Sequence, residues 1–275
     1  MLTFAFWNLM RRAKPDKVAA LAHESDADVL ALAECAIPVG ELLAALNHNQ
    51  ENPYFPDRFI FMRRRVLIFT RFTDQFVKAV ADHPDTTIRE ITLPLGDKIL
   101  LVATHLASKL WTKTEDQVQG CCTLATHIRE AENQVEHKRT VLLGDFNMNP
   151  FEAGMVGSEG LHAISDRRIA AKDSRNVNGE LRTFFYNPMW SFFGDQRAKT
   201  PGTYFYNSRT QVNYYWNVFD QVMVRPPLIK HVHDDSVQVV TELNGESLLN
   251  RSKQPNKRLH SDHLPIILRL LAVER

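Results

Sequence analysis

The sequence predicts an α/β protein in which strands and helices pack as layers within one domain, residues 1–275. Three observations predict it. Apolar strand-length runs alternate with amphipathic helical stretches through the first half of the chain. Short late strands are then separated by loops rich in Asn, Gly, Pro and aromatics. No repeat, low-complexity tract or linker divides the chain.

The elements follow in order. Residues 3–8 alternate as a half-buried strand. Over residues 15–25, Val18, Leu21 and Ala22 share one helical face. Residues 28–33 form a buried apolar strand that stops at Glu34, and 41–46 read as a helix. Further strands are expected at 59–62, 66–70, 88–93 and 99–104. A long helix follows over 114–136, with one interior glycine, Gly120. Residues 141–144 are the next strand. Asn149-Pro150 then reads as an N-cap with proline in the first helical turn. Residues 176–201 read as loop, and 203–206, 218–224 and 264–270 as late strands.

Composition narrows the function. With 275 residues and 44% apolar content, the chain can bury a sizeable core. No apolar run is long enough to cross a bilayer, and residues 1–7 read as strand and not as a signal peptide. Cys35, Cys121 and Cys122 cannot form a disulfide framework and lack zinc-ligand spacing, so a reduced, cytoplasmic setting is expected. A net charge of +1 makes the whole molecule a poor magnet for intact duplex nucleic acid. The charge is uneven. Arg58, Arg63, Arg64, Arg65 and Arg71 cluster, and Arg251, Lys253, Lys257, Arg258 and His260 precede Ser261-Asp262-His263. Such runs are as often solvated surface as binding surface.

Six strand ends carry chemistry. Asn8, Glu34, His105, the pair Asp145 and Asn147, Asp220, and the pair Asp262 and His263 each stand at an apolar run. Alone, each has an ordinary reading as a turn, cap or surface residue. Strands packed side by side bring such ends onto one rim. Oxygen ligands such as Glu34, Asp262 and Asn8 suit a hard cation, Mg²⁺ or Mn²⁺. Asp220 can fix the tautomer of His263. Asp145 and Asn147 can hold water, and His105 can donate to a phosphoryl oxygen. Together these groups match metal-assisted phosphoester hydrolysis.

The same residues resemble the endonuclease/exonuclease/phosphatase superfamily, with its deoxyribonuclease I-like and exonuclease III-like members. The resemblance runs from Asn8 to His263, and its specific motifs are Gly144-Asp145-Phe146-Asn147 and Ser261-Asp262-His263. It implies a four-layer α/β sandwich, two packed mixed, mostly antiparallel sheets flanked by helices. It implies Asn8, Glu34 and Asp262 as metal ligands and His105, Asp145, Asn147, Asp220 and His263 as catalytic residues. Two departures stand out. Ala33 replaces a glutamine often found before the metal-binding glutamate, and the strand ending Thr70-Arg71 has Thr for Ser.

The expected activity is that of a Mg²⁺-dependent nuclease or DNA-repair-type phosphodiesterase. The alternative is a phosphatase or phosphodiesterase of the inositol-phosphate or sphingomyelin type, with residues 188–193 as an apolar lid. Arg71, Tyr215 and Trp216 are the expected substrate contacts, and Tyr204, Tyr206 and Tyr214 are further candidates to stack on bases of a single strand or opened end, although alternating aromatics in a strand are more often core. The favoured partners are nucleic-acid single strands or ends, and the protein is expected to act as a monomer.

Overall fold

The structure is a computed structural model and describes residues 1–58, 66–110, 112–196 and 200–271. In chain order its strands are β1 (Leu2–Asn8), β2 (Val29–Ala33), β3 (Phe55–Pro56), β4 (Val66–Thr70), β5 (Val77–His83), β6 (Thr86–Thr92), β7 (Lys98–His105) and β8 (Thr140–Asp145). They continue with β9 (Ala163–Ile164), β10 (Ser174–Val177), β11 (Glu180–Thr183), β12 (Phe185–Tyr186), β13 (Tyr204–Phe205), β14 (Trp216–Asn217) and β15 (Asp220–Val224). The last are β16 (Val237–Val239), β17 (Glu242–Leu243), β18 (Glu246–Ser247) and β19 (Ile266–Leu270). The helices are α1 (Pro15–Glu24), α2 (Val39–Leu46), α3 (Thr114–Val135), α4 (Ala153–Val156) and α5 (Arg167–Ala170).

Two sheets dominate. One has the order β16-β19-β1-β2-β4-β3, the other β5-β6-β7-β8-β15-β12-β9. Both are mixed. Parallel neighbours β1 and β2 are joined through α1, and β7 and β8 through α3. Parallel strands need such crossovers because a tight turn cannot return the chain to the same end.

Two cores account for the layering. The larger takes Phe4, Phe6, Leu30 and Ile266 from the first sheet and Leu101, Val141 and Val222 from the second, together with Val18, Leu21 and Leu42 from α1 and α2. The smaller sets Leu100, Val102, Leu142 and Met223 on the far face of the second sheet against Leu124 and Ile128 of α3. Alternate strand residues therefore serve opposite faces, as a pleated strand between two layers requires. The result is the helix–sheet–sheet–helix sandwich.

Local differences from the sequence expectations have physical causes. Asn149 does not cap a helix. Its side chain accepts from the Val218 amide and donates to Asn217, and helix α4 begins only after Glu152. The stretch expected as loop contains the β10–β11 hairpin, β12 and a one-turn helix at Pro188–Phe192. β5 escaped the sequence reading because its residues are only half-buried and its pattern is weakly apolar. The strand expected at 59–62 lies outside the described residues.

Buried charge is paired. Arg89, fully buried on β6, bonds Asp57 through Nε and Nη2 and reaches Asp82 on β5. Arg225, after β15, bonds Glu132 of α3 at 2.8 Å. Each pair crosses between elements and satisfies charge that burial would otherwise penalise.

Candidate active site

The strand register itself assembles the site. In the first sheet β1 and β2 run parallel with Asn8 beside Ala33, so Asn8 and Glu34 leave at the same end. β19 runs antiparallel to β1 with Ile266 beside Phe6, which brings residues 261–263 to that end. In the second sheet His105 stands beside Asp145, and Asp145 beside Asp220. The sheets touch through β1 and β8 and through β15 and β19, so the two rims face each other.

Asp145 is the hub and is almost fully buried. Its Oδ2 accepts from Asn8 Nδ2 at 2.9 Å and lies 3.6 Å from His105 Nε2 and 3.8 Å from His263 Nε2. Its Oδ1 accepts from the Asn147 backbone amide at 2.8 Å. The Asn147 side chain donates to the Leu106 carbonyl. His105 Nε2 also lies 3.8 Å from Glu34 Oε1, so it bridges the two sheets. Glu34 is 36% exposed and Asp262 24% exposed, the most accessible carboxylates of the set. Glu34 and Asn147 both hold positive φ, +47° and +51°. Such backbone is uncommon outside glycine and persists where surroundings enforce it. The Arg11 amide, donating to the Glu34 carbonyl, is part of that enforcement.

Asp220 and His263 form the tightest pair. His263 Nδ1 donates to Asp220 Oδ2 at 2.8 Å, which turns Nε2 toward Asp145 and toward Asp262 Oδ1, 3.9 Å away. Burial pushes the Asp220 carboxyl up, against the pull of His263. Burial also opposes a charged His263, but the Asp220 and Asp145 carboxylates, the Asp220 hydrogen bond and Asp262 outweigh it and hold the imidazole above its ordinary value. With carboxylates on several sides of one ring, the shared proton sits on the imidazole.

The sequence reading passed over the residues that fix this pair. Trp7 Nε1 donates to the His263 carbonyl, the Ser261 hydroxyl donates to the Asn8 carbonyl at 2.6 Å, and the His263 amide donates to Ser261 Oγ. The Asp220 amide donates to Thr203 Oγ1. Tyr204 lays its ring 4.6 Å from His263, and burial beside Asp262 and Asp145 pushes its phenol up, so it stays neutral. Ser261 sits inside a quoted motif. Tyr204 reads from sequence only as a stacking candidate, and Trp7 and Thr203 give no signal, because their partners are distant in sequence.

Two expected substrate contacts are corrected. Arg71 follows β4, which runs antiparallel to β2 with Thr70 beside Val29, so it leaves at the end opposite Glu34. Its guanidinium is bonded to Asp26 and lies over the Tyr54 ring, 5.1 Å from the centroid. Trp216 pairs with Phe205 across the β13–β14 ribbon and packs on the main core, on the face opposite Tyr204 and Asn217. Tyr215 is exposed on the same ribbon. The cleft at the site is lined by Tyr204, Tyr206 and Tyr214, three of the aromatics the sequence offered for stacking. Arg63, Arg64 and Arg65 lie outside the described residues.

The donor chemistry fits a cation. Four carboxylates, Glu34, Asp145, Asp220 and Asp262, face two imidazoles, and among the described residues no lysine or arginine pairs with any of the four. Asp145, Asp220 and His263 bring donor atoms within 4.8 Å of one another. That group is already closed by the imidazole–carboxylate bond, so the more accessible Glu34 and Asp262 are the better cation donors.

No sequence-family model matches the chain, and no curated protein matches it. Solved structures do. An endonuclease/exonuclease/phosphatase family protein from Bacteroides thetaiotaomicron matches over 97% of this chain and 96% of its own, with TM-score 0.57 and 15% identity. The fold is that of the endonuclease/exonuclease/phosphatase proteins. A 3′ phosphatase, NExo from Neisseria, bound to a product DNA hairpin, matches over 98% of this chain and 99% of its own, with TM-score 0.57 and 15% identity. D. rerio TDP2, complexed with a single-strand DNA product, matches over 97% of each chain with TM-score 0.54 and 18% identity. The superfamily resemblance read from Asn8 to His263 thus holds at the level of fold over nearly the whole chain.

Proposed function

We propose that this protein is a divalent-metal-dependent phosphodiester hydrolase acting on nucleic acid, a nuclease or DNA-repair-type phosphodiesterase. The observation that carries the reading is the convergence of Asn8, Glu34, His105, Asp145, Asn147, Asp220, Asp262 and His263 on one rim between two sheets.

Each side chain then has a task. Asn8, Glu34 and Asp262 hold Mg²⁺, for which Mn²⁺ substitutes; the bound cation supplies positive charge to the phosphoryl group. Asp145 Oδ2, beside Asn8, accepts the proton of the attacking water, and Asn147 helps to place that water. His263, kept charged by Asp220, donates through Nε2 to a phosphoryl oxygen. His105 Nε2 donates to a second one. Pre-positioned donors of this kind stabilise charge that grows in the transition state.

A polyanionic substrate is supported by the rim of the first sheet. Arg11, Arg12 and Lys14 after β1, and Lys253, Lys257 and Arg258 before Ser261, are all exposed. Arg12 donates to the Lys257 carbonyl, which ties the two loops together. The DNA products bound by NExo and TDP2 support the same substrate class. In the loop expected as an apolar lid, Met189 is fully buried, while Phe193 packs edge-on against Phe151 and remains 40% exposed.

The test is a parallel screen with Mg²⁺, Mn²⁺ and EDTA on single- and double-stranded DNA, RNA, abasic DNA, 5′-tyrosyl DNA, sphingomyelin and inositol phosphates. Metal-dependent cleavage of nucleic acid is expected, and Asp145→Asn lowers it by about 10²–10⁴-fold. Hydrolysis of lipid or inositol phosphates alone overturns the nuclease reading.

A further inference from the structure

Beside Asn147, on the side of the second sheet, lies a cleft of about 360 Å³. It is continuous with the rim that carries the chemistry, because Asn147 and Tyr204 belong to both. Four aromatic rings, Tyr204, Tyr206, Tyr214 and Phe219, line it beside polar residues such as Ser208, Thr210 and Asn213. Tyr204 and Tyr206, two residues apart along one ribbon, lie nearly parallel, 14° between planes and 6.4 Å between centroids. Tyr204 continues onto Phe219 at 5.2 Å and 20°. Tyr214 closes another side and is braced from behind by Phe151 and Phe193. Tyr206 and Tyr214 are 45% and 51% exposed, so ring surface is left open in a packed frame.

Several polar groups in this cleft are held in place: Asn147 donates to the Leu106 carbonyl, and Asn213 donates to the Ser208 carbonyl and accepts from the Tyr215 amide. The Asn217 carboxamide oxygen accepts from Asn149, which leaves its NH₂ as a donor on the wall. Lys109 lies over the Phe219 ring but is bonded to Glu152, so its charge is already answered. Among its lining residues the cleft therefore offers ring faces and a hydrogen-bond donor without a free charge. The exposed cations Arg11, Arg12, Lys14, Lys253, Lys257 and Arg258 stand on loops of the first sheet, and Arg209 is exposed between the lining residues Ser208 and Thr210.

We propose that this cleft binds one unpaired nucleobase next to the scissile phosphate, stacked on Tyr206 and Tyr214, while the phosphate backbone follows the basic rim. A base meets all three features. It is planar and uncharged, it carries acceptors for Asn217, and it hangs from a polyanion that the basic rim attracts. A duplex cannot supply it without unstacking, so single strands and frayed ends are the substrates. The size suits a small ring system; ligand pockets begin at about 300 Å³.

The inference rests on the nucleic-acid reading of the site, and the experiment separates the two. A short oligothymidylate is compared with a polymer of identical charge in which every nucleotide is an abasic tetrahydrofuran residue. Binding is measured by fluorescence anisotropy in EDTA, and cleavage in Mg²⁺. The wild-type protein binds oligothymidylate about tenfold more tightly than the abasic polymer, as stacking of one base predicts. Tyr206→Ala and Tyr214→Ala each reduce that preference several-fold, and Tyr206→Phe keeps it. Circular dichroism confirms that the variants are folded. Equal binding of the two polymers by the wild-type protein, or a preference that survives both alanine variants, overturns the cleft assignment while metal-dependent cleavage leaves the catalytic reading standing. Cleavage of neither polymer counts against the catalytic reading itself. Binding of sphingomyelin vesicles that Tyr206→Ala abolishes would assign the cleft to lipid and overturn the proposal.

Discussion

His263 shows how much a single side chain owes to its neighbours. Its imidazole is buried, which alone would favour the neutral form, yet Asp220, Asp145 and Asp262 hold it charged. A histidine whose folded value is raised contributes stability that is fully present below its unfolded value of about 6.5 and is lost as pH rises through the folded value. In the metal-free protein, NMR titration of His263 is expected to show a midpoint well above that unfolded value. Asp220→Asn removes the hydrogen-bonded carboxylate and is expected to move the midpoint down and to lessen the alkaline decline in stability that a raised His263 predicts for the wild-type protein. A midpoint that stays in place would mean that Asp220 does not govern this ring. The polar residue types at Asn8, Glu34, Asp145 and His263 were legible in sequence because each interrupts an apolar run. The places of Trp7, Thr203 and Tyr204 around His263 were not, because an apolar or neutral side chain in a strand-like segment looks like ordinary core until its partner is known.

Among the elements, the pairing of β7 with β8 does most to place the chemistry. Thr104 stands beside Gly144 one residue before His105 and Asp145. A Cβ at Gly144 would lie 2.0 Å from the Thr104 carbonyl oxygen, so the two strands approach as closely as they do only because residue 144 is glycine. Gly144→Ala is expected to destabilise the protein by about 1–3 kcal/mol, as overpacking does. It also shifts Asp145 away from Asn8. Urea denaturation and the rate of metal-dependent cleavage check the two effects, and a variant normal in both would show that this approach is not required. Strand direction explains the Arg71 correction as well. The run Val66-Leu67-Ile68-Phe69-Thr70 was readable as a strand, but its antiparallel pairing to β2 sends Arg71 to the end away from Glu34. Trp216 went astray by parity, since only the register of β13 with β14 decides which face it takes.

For the whole molecule, the larger core joins both sheets and two helices, so neither sheet keeps a covered inner face without the other. We propose that residues 1–275 form one folding unit. Urea unfolding followed by tryptophan fluorescence and by circular dichroism is then expected to give one coincident transition. Two separated transitions would divide the chain. Charge has the same global character. A net charge of +1 gives no overall attraction to nucleic acid, and exposed cations gathered on the loops after β1 and before Ser261 make the attraction local.

By itself the sequence determined the layered α/β class, the three longest helices, nearly all strands of five or more residues and the residue types at the strand ends, because these follow from hydrophobic period and from polar groups that break it. It also carried the superfamily resemblance, through motifs whose spacing spans the chain. Only the tertiary structure decided that residues as far apart as Asn8 and His263 share one rim, which tyrosines face the cleft, and that Arg71 does not reach it. The reason is geometric. Adjacency across a sheet depends on strand order, direction and register, and these are settled by how two sheets and their helices bury a common core.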